Sequence, residues 1–168
     1  MAKILMVVAP ERFRDEELFV PKGIFEKEGH EVVVSSSKTG ICTGARGGTA
    51  ESEIAMNDVR EEEFDAVVFV GGPGSRIFFN DDRAIEIARN MQAGRKVVAA
   101  ICIAPVILAN AGIIKGRDAT VFESEIDTIK RRGANYIPKG VVSAGNIVTG
   151  DSPASAAAFA EKICEMLK

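Results

Sequence analysis

The stretch VVAAICIAP, at residues 97–105, joins a short apolar run to a cysteine that has alanine two residues away on each side. An apolar run of this length is typical of a strand buried in a parallel sheet. The spacing around Cys102 is typical of a nucleophile elbow, a sharp turn from a strand into a helix. Small residues are needed there because the backbone segments approach each other closely. We therefore predict that Cys102 projects above the carboxyl edge of a sheet, where open α/β sheets bind ligands.

Two effects predict a reactive thiol at this turn. The positive end of the following helix and the backbone N–H groups of the turn both stabilise a thiolate, so we expect a lowered pKa for Cys102. Gly71 and Gly72 follow the preceding predicted strand, and the N–H groups of Gly72 and Ile103 are candidates for an oxyanion hole. The alternatives are a cysteine that only fills space and a glycine pair that only makes a tight turn.

Predicted strands and helices alternate along the rest of the chain. Residues 35–58, rich in Ser, Thr and Gly, are expected to form loops and a small hairpin outside the main sheet. The alternation predicts an α/β fold with a doubly wound sheet. The predicted strands cover residues 3–9, 31–34, 65–70 and 96–101, with short ones near 119–121, 140–142 and 146–149; the predicted helices cover 15–28, 81–93, 104–111 and 152–167.

Composition excludes several classes of protein. The length of 168 residues predicts one domain over residues 1–168, and the net charge of −3 argues against nucleic acid and anionic membranes as partners. The N-terminus lacks the pattern of a signal peptide or a membrane span. Three widely spaced cysteines are typical of reduced thiols in the cytoplasm. With one histidine and no CxxC pair, we expect neither a metal site nor another cofactor.

Carboxylates crowd the predicted junction between the first strand and the first helix. They are Glu11, Asp15, Glu16 and Glu17, and any of them can overhang the sheet edge near Cys102. The alternative is that these charges only complement the positive end of the helix. The residues alone leave this choice open.

Three parts of the sequence, in this order and spacing, resemble the PfpI-like intracellular protease family of the DJ-1/PfpI superfamily. This superfamily shares its fold with class I glutamine amidotransferases. The likeness covers nearly the whole chain, which is therefore expected to be a single PfpI-like domain. The segments are ELFVP at 17–21 with EGHEV at 28–32, EFDA at 63–66 leading into the glycines at 71–72, and AIC at 100–102 leading into AG at 111–112.

The resemblance implies a flavodoxin-like three-layer sandwich with a mostly parallel central sheet, assembled as a homodimer or higher homo-oligomer. It implies that Cys102 is the elbow nucleophile and that Glu17 is the carboxylate hydrogen-bonded to it. The oxyanion N–H groups correspond to Gly72 and Ile103. Activities known among such proteins include peptidase, glyoxalase, deglycase and chaperone functions.

Two positions depart from the protease-like pattern. Such members carry histidine immediately after the cysteine, where this chain has Ile103, and they use a glutamate of a neighbouring subunit where this chain has Arg76. The one histidine, His30, precedes the second predicted strand and is expected at the opposite edge of the sheet from Cys102. A thiol without histidine is poorly suited to expelling an amine from a peptide bond.

The sequence therefore predicts a cytoplasmic stress-response protein in which Cys102 and Glu17 act on reactive aldehydes or glycated groups. Its partners would be a small carbonyl compound or a modified protein. Two alternatives are a non-catalytic redox sensor or chaperone, in which Cys102 is oxidised, and an intracellular cysteine peptidase. Of the other cysteines, Cys164 is expected to pack in the last helix, and Cys42 is a candidate for a subunit contact.

Overall fold

The computed structural model describes the whole chain, Met1–Lys168. Strands and helices alternate along it, joined by short loops and 3-10 turns. In chain order the strands are β1 (Lys3–Val7), β2 (Glu11–Phe13), β3 (Glu31–Ser36), β4 (Gly40–Gly44), β5 (Thr49–Ser52), β6 (Ile54–Ala55), β7 (Ala66–Phe69), β8 (Val97–Ile101), β9 (Asp118–Ala119), β10 (Asn135–Tyr136), β11 (Val141–Ala144) and β12 (Ile147–Gly150). The helices are α1 (Asp15–Lys27), α2 (Asp82–Ala93), α3 (Pro105–Asn110), α4 (Ile126–Arg131) and α5 (Ala156–Met166).

The central sheet has seven strands in the order β11-β12-β8-β7-β1-β3-β6. Every neighbouring pair is parallel except β11 and β12, which form an antiparallel hairpin at one edge. Strands β7 and β8 consist of apolar residues that are all buried, as expected of strands covered on both faces. The predicted α/β class with a mostly parallel central sheet is confirmed.

Alternating side chains of the strands pack against helices on opposite faces of the sheet. In β1, Leu5 belongs to the apolar core that contains residues of α2, α3 and α4. Its neighbour Met6 belongs to the second core, which contains residues of α1 and α5. This alternation follows from the two-residue period of a strand and produces three layers, with helices above and below the sheet.

Two parts of the chain differ from the predicted organisation. The hairpin of β4 and β5 lies outside the main sheet as expected, and β2 joins it to make three strands. The following residues, Ile54 and Ala55, were expected outside the main sheet too, but they form β6 and extend it beside β3. The Ser35 hydroxyl holds this edge by donating to the Ile54 carbonyl at 2.6 Å. The predicted strand near Ala119 pairs with β10 in a separate sheet of two strands.

The strand order reverses at β1, because β3 lies on one side of it while β7 and β8 lie on the other. In open α/β sheets the loops at the carboxyl ends of the strands beside such a reversal form a crevice. Here those loops carry α1, the Gly71-Gly72 turn and Cys102. The fold therefore brings three separate parts of the sequence to one place.

Candidate active site

Cys102 lies at the predicted sharp turn after β8. Its backbone has φ +65°, a left-handed conformation that is uncommon for a residue other than glycine. Two backbone hydrogen bonds hold it there: Cys102 N–H donates to the Gly150 carbonyl at 3.0 Å, and the Cys102 carbonyl accepts from the Phe122 N–H at 2.8 Å. Strained backbone of this kind persists only where its surroundings fix it, and it concentrates at functional sites.

Glu17 lies on the first turn of α1 and approaches the thiol from the side of Gly71. Its side chain is fully buried. Gly71 lies between the two groups: a Cβ atom added there would be 2.5 Å from Glu17 Oε1 and 2.7 Å from Cys102 Cβ. Only glycine fits at this position, and its missing side chain lets the carboxyl group and the thiol meet.

The other three carboxylates of the first junction have different surroundings. Asp15 accepts backbone N–H bonds from Arg46 and Gly48, at 2.8 and 2.7 Å, and so fixes the loop after β4. Glu16 pairs with Arg14 at 2.8 Å, and Glu11 is exposed. Of the four, the structure brings Glu17 to the thiol.

Burial raises the pKa of Glu17 from 4.5 to about 8. The Cys102 thiol, the positive charge of Arg14 and the Gly71 N–H oppose this rise without cancelling it. The two carboxyl oxygens are shielded from solvent and have no hydrogen-bond partner of standard geometry, so the thiol and the Gly71 N–H act on the carboxyl as close neighbours. A buried carboxyl in this position holds its proton at neutral pH.

The expected lowering of the Cys102 pKa is wrong. Burial, followed by the negative charge of Glu17, raises the pKa of Cys102 to about 12. The helix cannot compensate, because α3 begins only at Pro105 and has six residues. The effect of the Glu17 charge disappears whenever Glu17 is protonated, so the two groups titrate as a pair.

The two predicted oxyanion donors face the thiol. The backbone N–H groups of Gly72 and Ile103 are close enough to the thiol to lower its pKa and so oppose the effect of burial. The Gly72 turn is fixed at φ +101°, and a Cβ there would be 2.8 Å from the Arg12 carbonyl oxygen. The Arg14 N–H donates to the Gly71 carbonyl at 2.9 Å and holds the same turn against β2.

The structure brings neither His30 nor the remaining cysteines to this site. His30 precedes β3 at the opposite edge of the sheet, where its Nδ1 accepts a hydrogen bond from the Ala2 N–H at 3.0 Å. Cys164 packs in α5 as expected. Cys42 is buried in the second core rather than exposed for a subunit contact. No group of three His, Cys, Asp or Glu side chains is placed to hold a metal ion.

A cavity of about 250 Å³ lies over the thiol. The sequence did not identify several residues of its wall. Phe122 and Ser124 follow a short strand and Pro153 precedes α5, so nothing in the neighbouring sequence marks them as site residues. Arg14 could have been found, because it adjoins the run of acids that contains Glu17. The wall includes Arg14, Arg76, Phe122, Ser124 and Pro153 beside Cys102.

None of the helices combines the length and the apolar composition that crossing a bilayer requires.

A family profile and several named proteins match nearly the whole chain. The profile of the DJ-1/PfpI family matches residues 2–166. The chain is 36% identical to a protein of Pyrococcus furiosus named deglycase PfpI, over 99% of both chains. It is 31% identical to a protein of Escherichia coli named protein/nucleic acid deglycase 2, again over 99% of both.

A solved structure of another protein has the same fold. The crystal structure of a ThiJ/PfpI domain protein from Brachyspira murdochii superposes with a TM-score of 0.97 at 36% identity. The match covers 98% of this chain and 95% of that one.

Proposed function

This chain belongs to the DJ-1/PfpI family, and we propose that it is a cysteine-dependent enzyme acting on reactive aldehydes or on the groups they glycate. The observation that carries the proposal is the buried Glu17 carboxyl beside Cys102, with two backbone N–H groups facing the sulfur. This arrangement supplies a nucleophile, a mobile proton and an anion site without histidine.

A 2-oxoaldehyde such as methylglyoxal suits these groups. At neutral pH the pair holds two protons, so the reaction begins after one of them has left to solvent. The thiolate beside protonated Glu17 attacks the aldehyde carbon, forming a C–S bond, while the Gly72 and Ile103 N–H groups stabilise the developing oxyanion. Glu17 gives its proton to that oxygen. As a carboxylate, Glu17 then removes the hydrogen of the same carbon and returns it to the neighbouring carbon, while the hydroxyl proton moves to the ketone oxygen. The product of this isomerisation is a thioester.

Water then hydrolyses the thioester, releasing the 2-hydroxy acid and restoring the pair with one proton. The net reaction for methylglyoxal is addition of one water to give lactate and a proton, with no external oxidant or reductant. The relatives named deglycases support the same addition to aldehyde adducts on a modified protein.

Methylglyoxal consumption and lactate formation, followed by NMR, test this proposal. We expect lactate from the wild type and loss of its formation in Cys102→Ser and Glu17→Gln. Equal rates for all three proteins would overturn the proposal.

A second candidate is favoured by the same protonated carboxyl. If peroxide oxidises the thiol to a sulfinate, Glu17 can donate a hydrogen bond to the new oxygens, as a redox sensor requires. Peroxide titration followed by intact mass distinguishes the cases: a Cys102 that stays reduced at excess peroxide removes the sensor. A peptidase is disfavoured, because no histidine lies near Cys102 to protonate an amine leaving group.

We also propose a cytoplasmic stress-response role and a homodimer. Three free cysteines fit a reducing compartment. Large apolar side chains are exposed at Phe19, Val20, Ile41 and Ile77, which supports an interface between copies. Sedimentation equilibrium giving only the monomer mass of 17.9 kDa would contradict the dimer.

A further inference from the structure

The cavity over Cys102 has an uneven charge. Two of the residues in its wall carry charged side chains, and both are arginines, Arg14 and Arg76. The wall contains no Asp or Glu, because Glu17 is buried behind the thiol. A neutral substrate such as methylglyoxal gains no attraction from these two positive charges.

Arg14 has unused hydrogen-bond donors. Its Nε donates a hydrogen bond to Glu16 Oε2 at 2.9 Å, and its Nη2 lies 2.8 Å from the same oxygen as an ion pair. Its Nη1 makes no hydrogen bond with the protein. The bond to Glu16 raises the pKa of Arg14, and the charges of Glu17 and Cys102 raise it further, so the guanidinium lies within electrostatic reach of the reacting groups.

Arg76 has even fewer partners. Its guanidinium makes no hydrogen bond with the protein, and the nearest carboxylate oxygen, on Glu125, is 3.7 Å from its Nη2. The group lies over the Phe79 ring, 5.6 Å from its centre, which restricts its orientation. A planar cation held in this way is suited to binding a carboxylate through two parallel hydrogen bonds.

The local charges also indicate which anion fits. Arg14 and Arg76 each have one carboxylate partner, Glu16 and Glu125, and Glu16 also lies 3.8 Å from Arg46. These three arginines and two glutamates leave one positive charge without a partner. A singly charged carboxylate can accept hydrogen bonds from the free donors of the two arginines. The second negative charge of a phosphate would instead be repelled by the two glutamates. The geometry favours a carboxylate.

We propose that this site selects 2-oxoaldehydes that carry a carboxylate at the far end from the aldehyde, with Arg14 and Arg76 binding that group while the dicarbonyl end reaches Cys102. The inference rests on the proposed function and names its substrate class. For the five-carbon member, 4,5-dioxopentanoate, the isomerisation described above adds one water and gives 2-hydroxyglutarate and a proton. No other reactant is needed.

The test compares 4,5-dioxopentanoate with 2-oxopentanal, in which a methyl group replaces the carboxylate. We expect the wild type to have about tenfold higher kcat/KM for the charged compound, in line with one charge-assisted contact. The ratio of the two kcat/KM values should fall towards one in Arg76→Gln and in Arg14→Gln/Arg76→Gln. It should also fall in about 1 M NaCl, because salt screens the attraction.

Arg60→Gln is the matched control, because Arg60 is exposed and lies before β7, at the opposite edge of the sheet. Its ratio should equal that of the wild type. Cys102-dependent turnover of 2-oxopentanal with no preference for the charged compound, or a preference that survives in the double variant, would overturn the inference and leave the proposed function intact. A wild type that consumes methylglyoxal but neither five-carbon compound would overturn the inference alone, and a wild type that consumes none of the three would overturn both.

Discussion

Cys102→Ser is expected to lower kcat/KM for methylglyoxal by at least about 10³-fold. Serine keeps the size of the side chain and the hydrogen bonds of the turn, but a hydroxyl ionises far less readily than a thiol and does not form the thioester. The backbone N–H groups of Gly72 and Ile103 remain and account for the residual activity. Initial rates with purified variants measure the effect.

Cys42→Ser and Cys164→Ser are the matched controls, since both cysteines are buried away from the cavity. After circular dichroism has confirmed folding, each should retain activity within about twofold of the wild type. A Cys102→Ser protein that keeps a tenth or more of the activity, or equal losses in the three variants, would contradict the proposal that Cys102 is the nucleophile.

Glu17→Gln is expected to remove the loss of stability that the wild type undergoes as the pH rises. The pKa of Glu17 is raised from 4.5 to about 8, so the protonated carboxyl contributes stability that is fully present below about pH 4.5 and is lost as the pH rises through about 8. Glutamine is neutral throughout this range. Relative to the wild type, the free energy of unfolding of Glu17→Gln should therefore rise by about 3–5 kcal/mol between pH 5 and pH 9. Urea unfolding at a series of pH values measures it.

Glu16→Gln is the control for this titration. The hydrogen bond to Arg14 lowers the pKa of Glu16, so Glu16 is ionised in both the folded and unfolded protein above about pH 5.5. The difference in stability between this variant and the wild type should stay constant from pH 5.5 to pH 9. A Glu17→Gln curve that also runs parallel to the wild type would show that Glu17 ionises normally in the folded protein.

Local sequence was sufficient for the elbow. The apolar run of β8 and the alanines on either side of Cys102 predict a buried strand and a tight turn, because these features depend on neighbouring residues. The succession of strands and helices along the chain has a similar origin, in the alternation of apolar runs with helical patterns. By contrast, α4 and β10 are short, with six and two residues, and carry too few apolar positions for a periodic signal.

The choice of Glu17 among four acids came from the family resemblance, although a physical signal for it exists. Glu17 lies four residues before Pro21 and eight before Phe25, and all three are buried on one face of α1. Helical spacing from these apolar residues therefore identifies it as the acid that faces the sheet. Asp15 shows that this signal is incomplete, since it is also mostly buried but serves the loop after β4.

The raised pKa of Cys102 and the pair of arginines lie outside what sequence patterns predict. The pKa depends on how deeply the fold buries the thiol and on a carboxyl contributed by another element. Arg14 precedes α1 and Arg76 follows the Gly71-Gly72 turn, so they line the same cavity only when β1 and β7 pair. Such contacts follow from tertiary packing and have no local signature.

Infrared spectroscopy reports whether Glu17 is protonated beside Cys102 at neutral pH, the condition on which the proposed chemistry depends. A protonated carboxylic acid has a C=O stretching band above the amide region, and ordinary Asp and Glu side chains are ionised at pH 7. We predict such a band in the wild type at pH 7, its absence in Glu17→Gln and its loss as the pH rises through about 8. A wild-type spectrum at pH 7 that matches that of Glu17→Gln would show that Glu17 is ionised there and would contradict the proposed chemistry.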